Sequence, residues 1–105
     1  MSNERLKGFI GLCMGAGKLA VGDGRATESV RKGKACLVLI SKDASDNTKK
    51  KYADMCSYRN MKILDVFDNR EEFGAVIGRE FAVVASVEDQ GFAKRIIELA
   101  ERVDV

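Results

Sequence analysis

An α/β/α sandwich is the fold class that these 105 residues predict, and three observations carry that expectation. Helical and strand-like hydrophobic patterns alternate along the chain with short connections between them. The segment Ala35–Ser41, ACLVLIS, is continuously apolar, as in a strand covered on both faces. No proline and no low-complexity tract interrupts the alternation. Buried strands separated by helices pack as a sheet between two helical layers, joined by right-handed crossovers.

The elements follow in order. Leu6, Phe9, Ile10, Cys13 and Ala16 recur at helical spacing, and Gly17 closes that first helix. Leu19–Val21 leaves room for a very short strand. Asp23 to Lys32 reads as a helix with Ala26 and Val30 inward, stopped by Gly33. After the apolar strand, Ser45–Arg59 is helical, with Thr48, Tyr52, Met55 and Cys56 on the core side. Met61–Phe67 and Phe81–Val87 are two further strands, separated by a short helix at Arg70–Ile77. Gln90–Arg102 is an amphipathic helix burying Phe92, Ala93, Ile96, Ile97 and Ala100.

The chain length suits one domain, residues 1–105, with a single core. No run approaches about eighteen apolar residues, which argues against a membrane span. MSNERLKGF lacks the apolar block of a secretory leader, so a cytoplasmic location is expected. Cys13, Cys36 and Cys56 are widely spaced inside apolar patterns and read as reduced thiols; with no histidine present, a zinc site is not expected. The charge is unevenly placed. Residues 1–62 carry thirteen Lys and Arg against six Asp and Glu, and residues 63–105 carry five against ten. Such asymmetry points to a polyanionic partner on one side, unless folding intermixes the two parts.

Several motifs invite chemical readings. MGAGKLAVGDGR gathers Gly15, Gly17, Gly22 and Gly24 around Lys18, yet it is not a P-loop. Leu12 stands where the first glycine would, and Leu19 stands where a magnesium-binding hydroxyl would. No GxGxxG spacing occurs either. Gly8, Gly11 and Gly15 form a stripe on the first helix, read either as a close approach or as tolerated weakness. Asp43, Asp68 and Asp89 each follow a strand and precede a helix. They would gather at one edge of a parallel sheet, or serve as N-caps. In the run Lys49-Lys50-Lys51, Lys50 and Lys51 are expected in solvent with Lys49 flanking the core; a solvated face and phosphate contact are the two readings. Arg25, Glu28, Ser29 and Lys32 share the outer face of the second helix. Its glycine-flanked start, with Lys18, Arg25, Arg31 and Lys34 nearby, suits a nucleic-acid backbone, although Asp23 is expected to satisfy the helix end itself.

The segments AGKLAVGDGRATESVRKGKACLVLISKDAS, NTKKKYADMC, GAVIGRE and VEDQGFAKRI together resemble the ribosomal protein L7Ae/L30e superfamily, most closely its small bacterial stand-alone members. The resemblance runs from about Phe9 to Ile97. It implies an α/β/α sandwich around a small mixed four-stranded sheet, and a non-enzymatic RNA-binding protein whose typical target is a kink-turn. In that family the second helix enters an opened major groove, and an apolar loop before the last strand meets a flipped-out base. The strong binders carry Gly-x-Asn-Glu-x-x-Lys there. Gly22 is kept, Gly24 replaces the asparagine, Arg25 the glutamate and Glu28 the lysine, so the groups that read guanine edges are altered. The apolar loop falls on Ala75-Val76-Ile77-Gly78.

The residues expected to contact RNA are therefore Lys18, Gly22, Gly24, Arg25, Glu28, Lys32, Val76 and Ile77, on one contiguous face. Arg25 and Lys32 would meet phosphates or a guanine edge, Glu28 a cytosine amino group, and Ile77 an unstacked base. The expected partner is structured RNA, bound by a monomer, with no cofactor, metal, membrane or small-molecule substrate. The alternative is a protein-interaction module that kept the fold and lost specific RNA recognition.

Overall fold

The computed structural model describes residues 4–101. Along them run α1 (Glu4–Gly15), β1 (Leu19–Val21), α2 (Asp23–Arg31), β2 (Leu37–Ser41), α3 (Asp46–Tyr58), β3 (Ile63–Phe67), α4 (Arg70–Ile77), β4 (Val84–Val87) and α5 (Gln90–Glu101). Every expected element is present in its expected order. The final helix was expected to reach Arg102, which lies outside the described residues, as do Met1–Asn3.

The strands form one sheet of order β1-β4-β2-β3. β2 and β3 are parallel, whereas β4 runs antiparallel to both β1 and β2. The sheet is therefore mixed, and its central strands are β4 and β2. All five residues of β2 are buried, as its continuous apolar run requires. They alternate between two cores. Leu37 and Leu39 pack with α1, α4 and α5, while Val38 and Ile40 pack with α2 and α3. Three layers result, with helices α1, α4 and α5 on one side of the sheet and α2 and α3 on the other. In β3 the register shifts by one residue opposite Leu39–Ser41. That bulge places the consecutive Val66 and Phe67 on the same side, against α4.

Strand ends are shorter than the apolar pattern suggests. Ala35 is still tied to α2, its N–H bonding Ser29 O at 3.2 Å. Ala82 bonds Arg70 O at 3.0 Å, so Phe81–Val83 form an approach to β4 and not its start. In α5, Leu99 is buried with Ala93 and Ile96, whereas Phe92, Ile97 and Ala100 are only partly covered. Ala16 is exposed, because α1 ends one residue earlier. Gly17 makes that ending possible. Its φ of 74° lets Lys18 N–H turn back to Cys13 O at 3.1 Å.

The α1 glycines separate into two kinds. A Cβ at Gly8 or Gly15 would meet nothing within 4 Å, but at Gly11 it would lie 3.2 Å from Val76 O on α4. Gly11 is thus a point of close helix approach, and the other two are tolerated weakness. Gly8→Ala together with Gly15→Ala is expected to raise unfolding free energy by about 1–2 kcal/mol in urea titrations. Adding Gly11→Ala should remove part of that gain, since α1 must move off α4.

Candidate nucleic-acid interface

Because β1, β2 and β3 run the same way, the helices that follow them all begin at one edge of the sheet. There α2 starts at Gly22, α3 at Ser45 and α4 at Asn69. Each helix start carries roughly half a positive charge from its aligned peptide dipoles. Two of the three are closed by side chains. Ser45 Oγ accepts from Thr48 N–H at 3.2 Å, and Asn69 Oδ1 accepts from Glu72 N–H at 2.8 Å. The third is open. Gly22 has no side chain to offer, and the first bond of α2 is Ala26 N–H to Gly22 O at 2.8 Å. The N–H groups of Asp23, Gly24 and Arg25 have no partner among the described residues.

Asp23 does not cap this helix, contrary to the expectation from sequence. It sits inside the first turn, past the position from which a carboxylate reaches back to the N–H groups. Its side chain crosses instead to α3, where Lys51 Nζ lies 3.0 and 3.1 Å from the two oxygens and Tyr52 donates at 2.8 Å. Lys51, followed by the Tyr52 hydroxyl, holds the Asp23 carboxyl below its ordinary range. Tyr52 also contacts Thr27 Oγ1 at 3.0 Å, and burial is the main reason its phenol is pushed upward. The lysine run is corrected by the same contact. Lys51, not Lys49, is the half-buried member, while Lys49 and Lys50 are exposed.

Beside the open helix start lies a cleft of about 480 Å³, walled by Gly22, Asp23, Thr48, Arg70, Arg79 and Phe81 among others. Arg70 is committed to the protein, with Nε 3.3 Å from Asp43 Oδ2 and a second nitrogen 3.0 Å from Asp43 O. Arg79 is exposed and has no carboxylate partner among the described residues. Phe81 is 56% exposed. The cleft thus offers free backbone donors, an unpaired guanidinium and an open aromatic face, a set suited to a phosphate next to an unstacked base.

The expected contact residues divide around this place. Gly22, Gly24 and Arg25 lie at the open end of α2. Glu28 and Lys32 follow on its exposed face and pair with each other at 3.5 Å. Ser29 does not share that face; it is 3% exposed and its Oγ has no hydrogen-bond partner. Lys18 stands apart from the helix start itself, next to Glu88, which lines a shallow pocket with Arg25, Glu28, Lys32 and Lys34. Lys18 lies at the other end of β1, about 10 Å away, its carbonyl accepting from Glu88 N–H at 2.8 Å. Val76 and Ile77 form the last turn of α4, not a loop. Ile77 is buried against the α1 side of the core, so its side chain is not offered to a base. The loop begins at Gly78, which ends α4 with φ 77°. Arg79 and Phe81 were missed by sequence reasoning because Phe81 fitted the start of a strand. The glycine three residues before it was the available signal that a loop intervenes.

The three aspartates part company. Asp43 and Asp68 stand at the cleft edge, but Asp89 lies at the opposite end because β4 is antiparallel. Ser41 and then Arg70 hold Asp43 below the usual carboxylate range, and Asp68 pairs with Lys42 at 3.3 Å. Only Asp89 acts as an N-cap, accepting from Phe92 N–H at 2.8 Å. Among the described residues no group of three or more His, Cys, Asp or Glu is placed to hold a metal ion. Cys13 and Cys56 are buried, and burial pushes the Cys13 thiol up to about 11.

Folding intermixes the two parts of the chain in places, through the pairs Lys7–Glu72, Lys42–Asp68, Lys62–Glu101 and Arg70–Asp43, yet leaves the two helical layers unequal in charge. Residues 22–34 and 45–62, the α2/α3 layer, hold nine Lys and Arg against four Asp and Glu. Residues 4–17, 69–81 and 89–101, the other layer, hold six against seven. The sheet stands between them.

The chain is similar to known proteins. A model of the ribosomal protein L7Ae/L30e/S12e/Gadd45 family matches residues 4–97. The chain is 39% identical over 93 residues to the RNA-binding protein YlxQ of Bacillus subtilis (strain 168), covering 89% of this chain and 92% of that protein. It is 38% identical over 100 residues to the RNA-binding protein YlxQ of Enterococcus faecium, covering 95% of each. A solved structure of a protein of unknown function from Bacillus halodurans superposes with a TM-score of 0.88 at 32% identity, over 92% of this chain and 97% of that one. The Giardia lamblia 15.5kD RNA binding protein shares the fold, with a TM-score of 0.76 at 19% identity over 94% and 84% of the two chains. No helix of the described residues is long and apolar enough to cross a membrane.

Proposed function

The chain belongs to the ribosomal protein L7Ae/L30e/S12e/Gadd45 family, and on that premise we propose that it is a non-enzymatic RNA-binding protein whose contact face is the cleft edge of the sheet. The carrying observation is the uncapped start of α2, which opens beside Arg79 and Phe81. Phosphate oxygens accept from the free N–H groups of residues 23–25 and from Arg25 and Arg79. An unstacked base lies on Phe81, in the place the sequence assigned to Ile77. Glu28 and Lys32 extend the face along α2. The names of the two YlxQ relatives and the basic α2/α3 layer support an RNA partner. Gly24, Arg25 and Glu28 present different groups from the family's guanine-reading set, so affinity for a standard kink-turn is low and another structured RNA is the main target.

Arg25→Ala with Arg79→Ala tests this reading. Both side chains are exposed, so thermal stability should barely move. Affinity for a structured RNA should fall, and the slope of log affinity against log salt should shrink by about 1.4–1.8 units, depending on RNA form. Glu98→Lys on α5, in the other layer, is the matched control and should strengthen binding only weakly. Unchanged affinity and slope in the double variant would remove the cleft edge as the RNA face.

A further inference from the structure

We propose that the α2/α3 layer carries a second RNA contact, a base-stacking platform formed by Tyr58 and Arg59, reached by a single strand running along α3 from the cleft. The proposal rests on the RNA-binding reading of the cleft and extends it to the far end of the layer. Tyr58 is the last residue of α3 and is 88% exposed, the largest value among the exposed large apolar side chains of the described residues. It contributes nothing to either core. The Arg59 guanidinium lies 5.6 Å from the centre of the Tyr58 ring. One face of the ring is thus covered by a cation and the other is open.

Arg59 is tied to the end of α3. Arg59 Nη1 donates to Met55 O at 3.3 Å, and the chain turns sharply at Asn60, whose φ is 54°. Met61 N–H then closes on Cys56 O at 2.8 Å. Arg59 has no carboxylate partner among the described residues. A nucleobase laid on the open face would complete a stack of base, tyrosine and guanidinium, an arrangement that tolerates any base because each has a π-face.

Charge along the path favours a nucleic-acid strand over a protein. Ser45, at the cleft, and Tyr58 are separated by about 20 Å of helix. Lys49 is exposed on α3 with no ion-pair partner among the described residues, as are Arg31 at the end of α2 and Lys34 just after it, while Lys50 pairs with Asp54 at 3.4 Å. Tyr58 is a lone aromatic next to Ser57, Arg59 and Asn60, all exposed, and a protein contact of useful area would need apolar neighbours that are not there.

The test uses the full chain and a kink-turn RNA duplex, with and without an oligouridine extension of about ten nucleotides at either end in turn. One of the two extended forms is expected to bind about tenfold more tightly than the blunt duplex. Tyr58→Ala should abolish that gain and leave blunt-duplex affinity unchanged, while Tyr58→Phe should keep it. Iodouridine placed in the extension should crosslink to Tyr58. The chain has two tyrosines and no tryptophan, and Tyr52 is buried, so quenching of tyrosine emission by the extension reports on Tyr58. Equal affinity for all three RNAs, or a gain that survives Tyr58→Ala, would overturn the platform and leave the cleft reading intact. Failure to bind any of the three would overturn the platform, since the extension should supply affinity even where the duplex binds weakly, and failure to bind other structured RNA as well would overturn both.

Discussion

Gly24→Asn with Arg25→Glu and Glu28→Lys is expected to tighten binding to a standard kink-turn RNA by at least tenfold, about 1.4 kcal/mol. The three changes rebuild the amide, carboxylate and ammonium with which strong binders of this family read guanine edges. The structure gives them room. A Cβ at Gly24 would meet nothing within 4 Å, its φ is not of the glycine-favouring kind, and Arg25 and Glu28 are exposed. The Glu28–Lys32 pair is lost, but both side chains are more than half exposed and such a pair contributes little. Net charge is conserved, since one cation becomes an anion and one anion a cation. The long-range attraction for RNA therefore stays as it was, and because the phosphate contact of Arg25 is given up, a gain in affinity reports specific reading. Isothermal titration against a kink-turn and against the same duplex with its G·A pairs replaced separates the two. Tight binding by the native chain, with no gain on restoration, would show that the altered residues do not govern kink-turn affinity.

Gly74→Ala should be the most damaging single change in the cleft's supporting structure, destabilising the fold by about 3 kcal/mol. The reason is steric. A Cβ there would fall 2.5 Å from Phe81 Cα and 2.7 Å from both Arg79 O and Phe81 N, all backbone atoms that cannot rotate aside. Gly74 N–H and C=O belong to α4, and its carbonyl receives Arg79 N–H at 2.8 Å, so the loop is folded tightly over this one residue. Either α4 or the Arg79–Phe81 loop must move. Denaturant unfolding measures the loss of stability, and RNA titration at a temperature where the variant is folded measures the second effect. Affinity should drop there too, because Arg79 and Phe81 are displaced from the cleft. Full stability in Gly74→Ala would mean that the loop is not seated on α4 as described.

These two sites differ in how far the sequence announces them. The start of α2 was legible because Gly22-Asp23-Gly24 follows a short apolar strand and precedes inward Ala26 and Val30, a local pattern. Gly74 carried no such signal. It reads as an ordinary helix residue until the chain from Gly78 to Phe81 folds back over it. Phe81 was hidden for a similar reason, since an aromatic residue ahead of AVVASV fits the hydrophobic pattern of a strand equally well.

What the sequence determined by itself was the order and type of elements, the two-faced burial of Leu37–Ser41, the closing role of Gly17 and the unequal charge of the two parts of the chain. All of these depend on the spacing of residues within one element or on simple composition. What the tertiary structure decided was which ends meet. The antiparallel direction of β4 sends Asp89 away from Asp43 and Asp68. The short β1 leaves Lys18 at the other end of the sheet from the start of α2. Packing of α4 against α1 turns Ile77 inward, and the approach of α3 to α2 gives Asp23 to Lys51 and Tyr52 instead of to its own helix. Hydrophobic period records only whether a side chain faces the core. Strand direction and helix contact arise between residues far apart in the chain, where the same period is satisfied by more than one pairing.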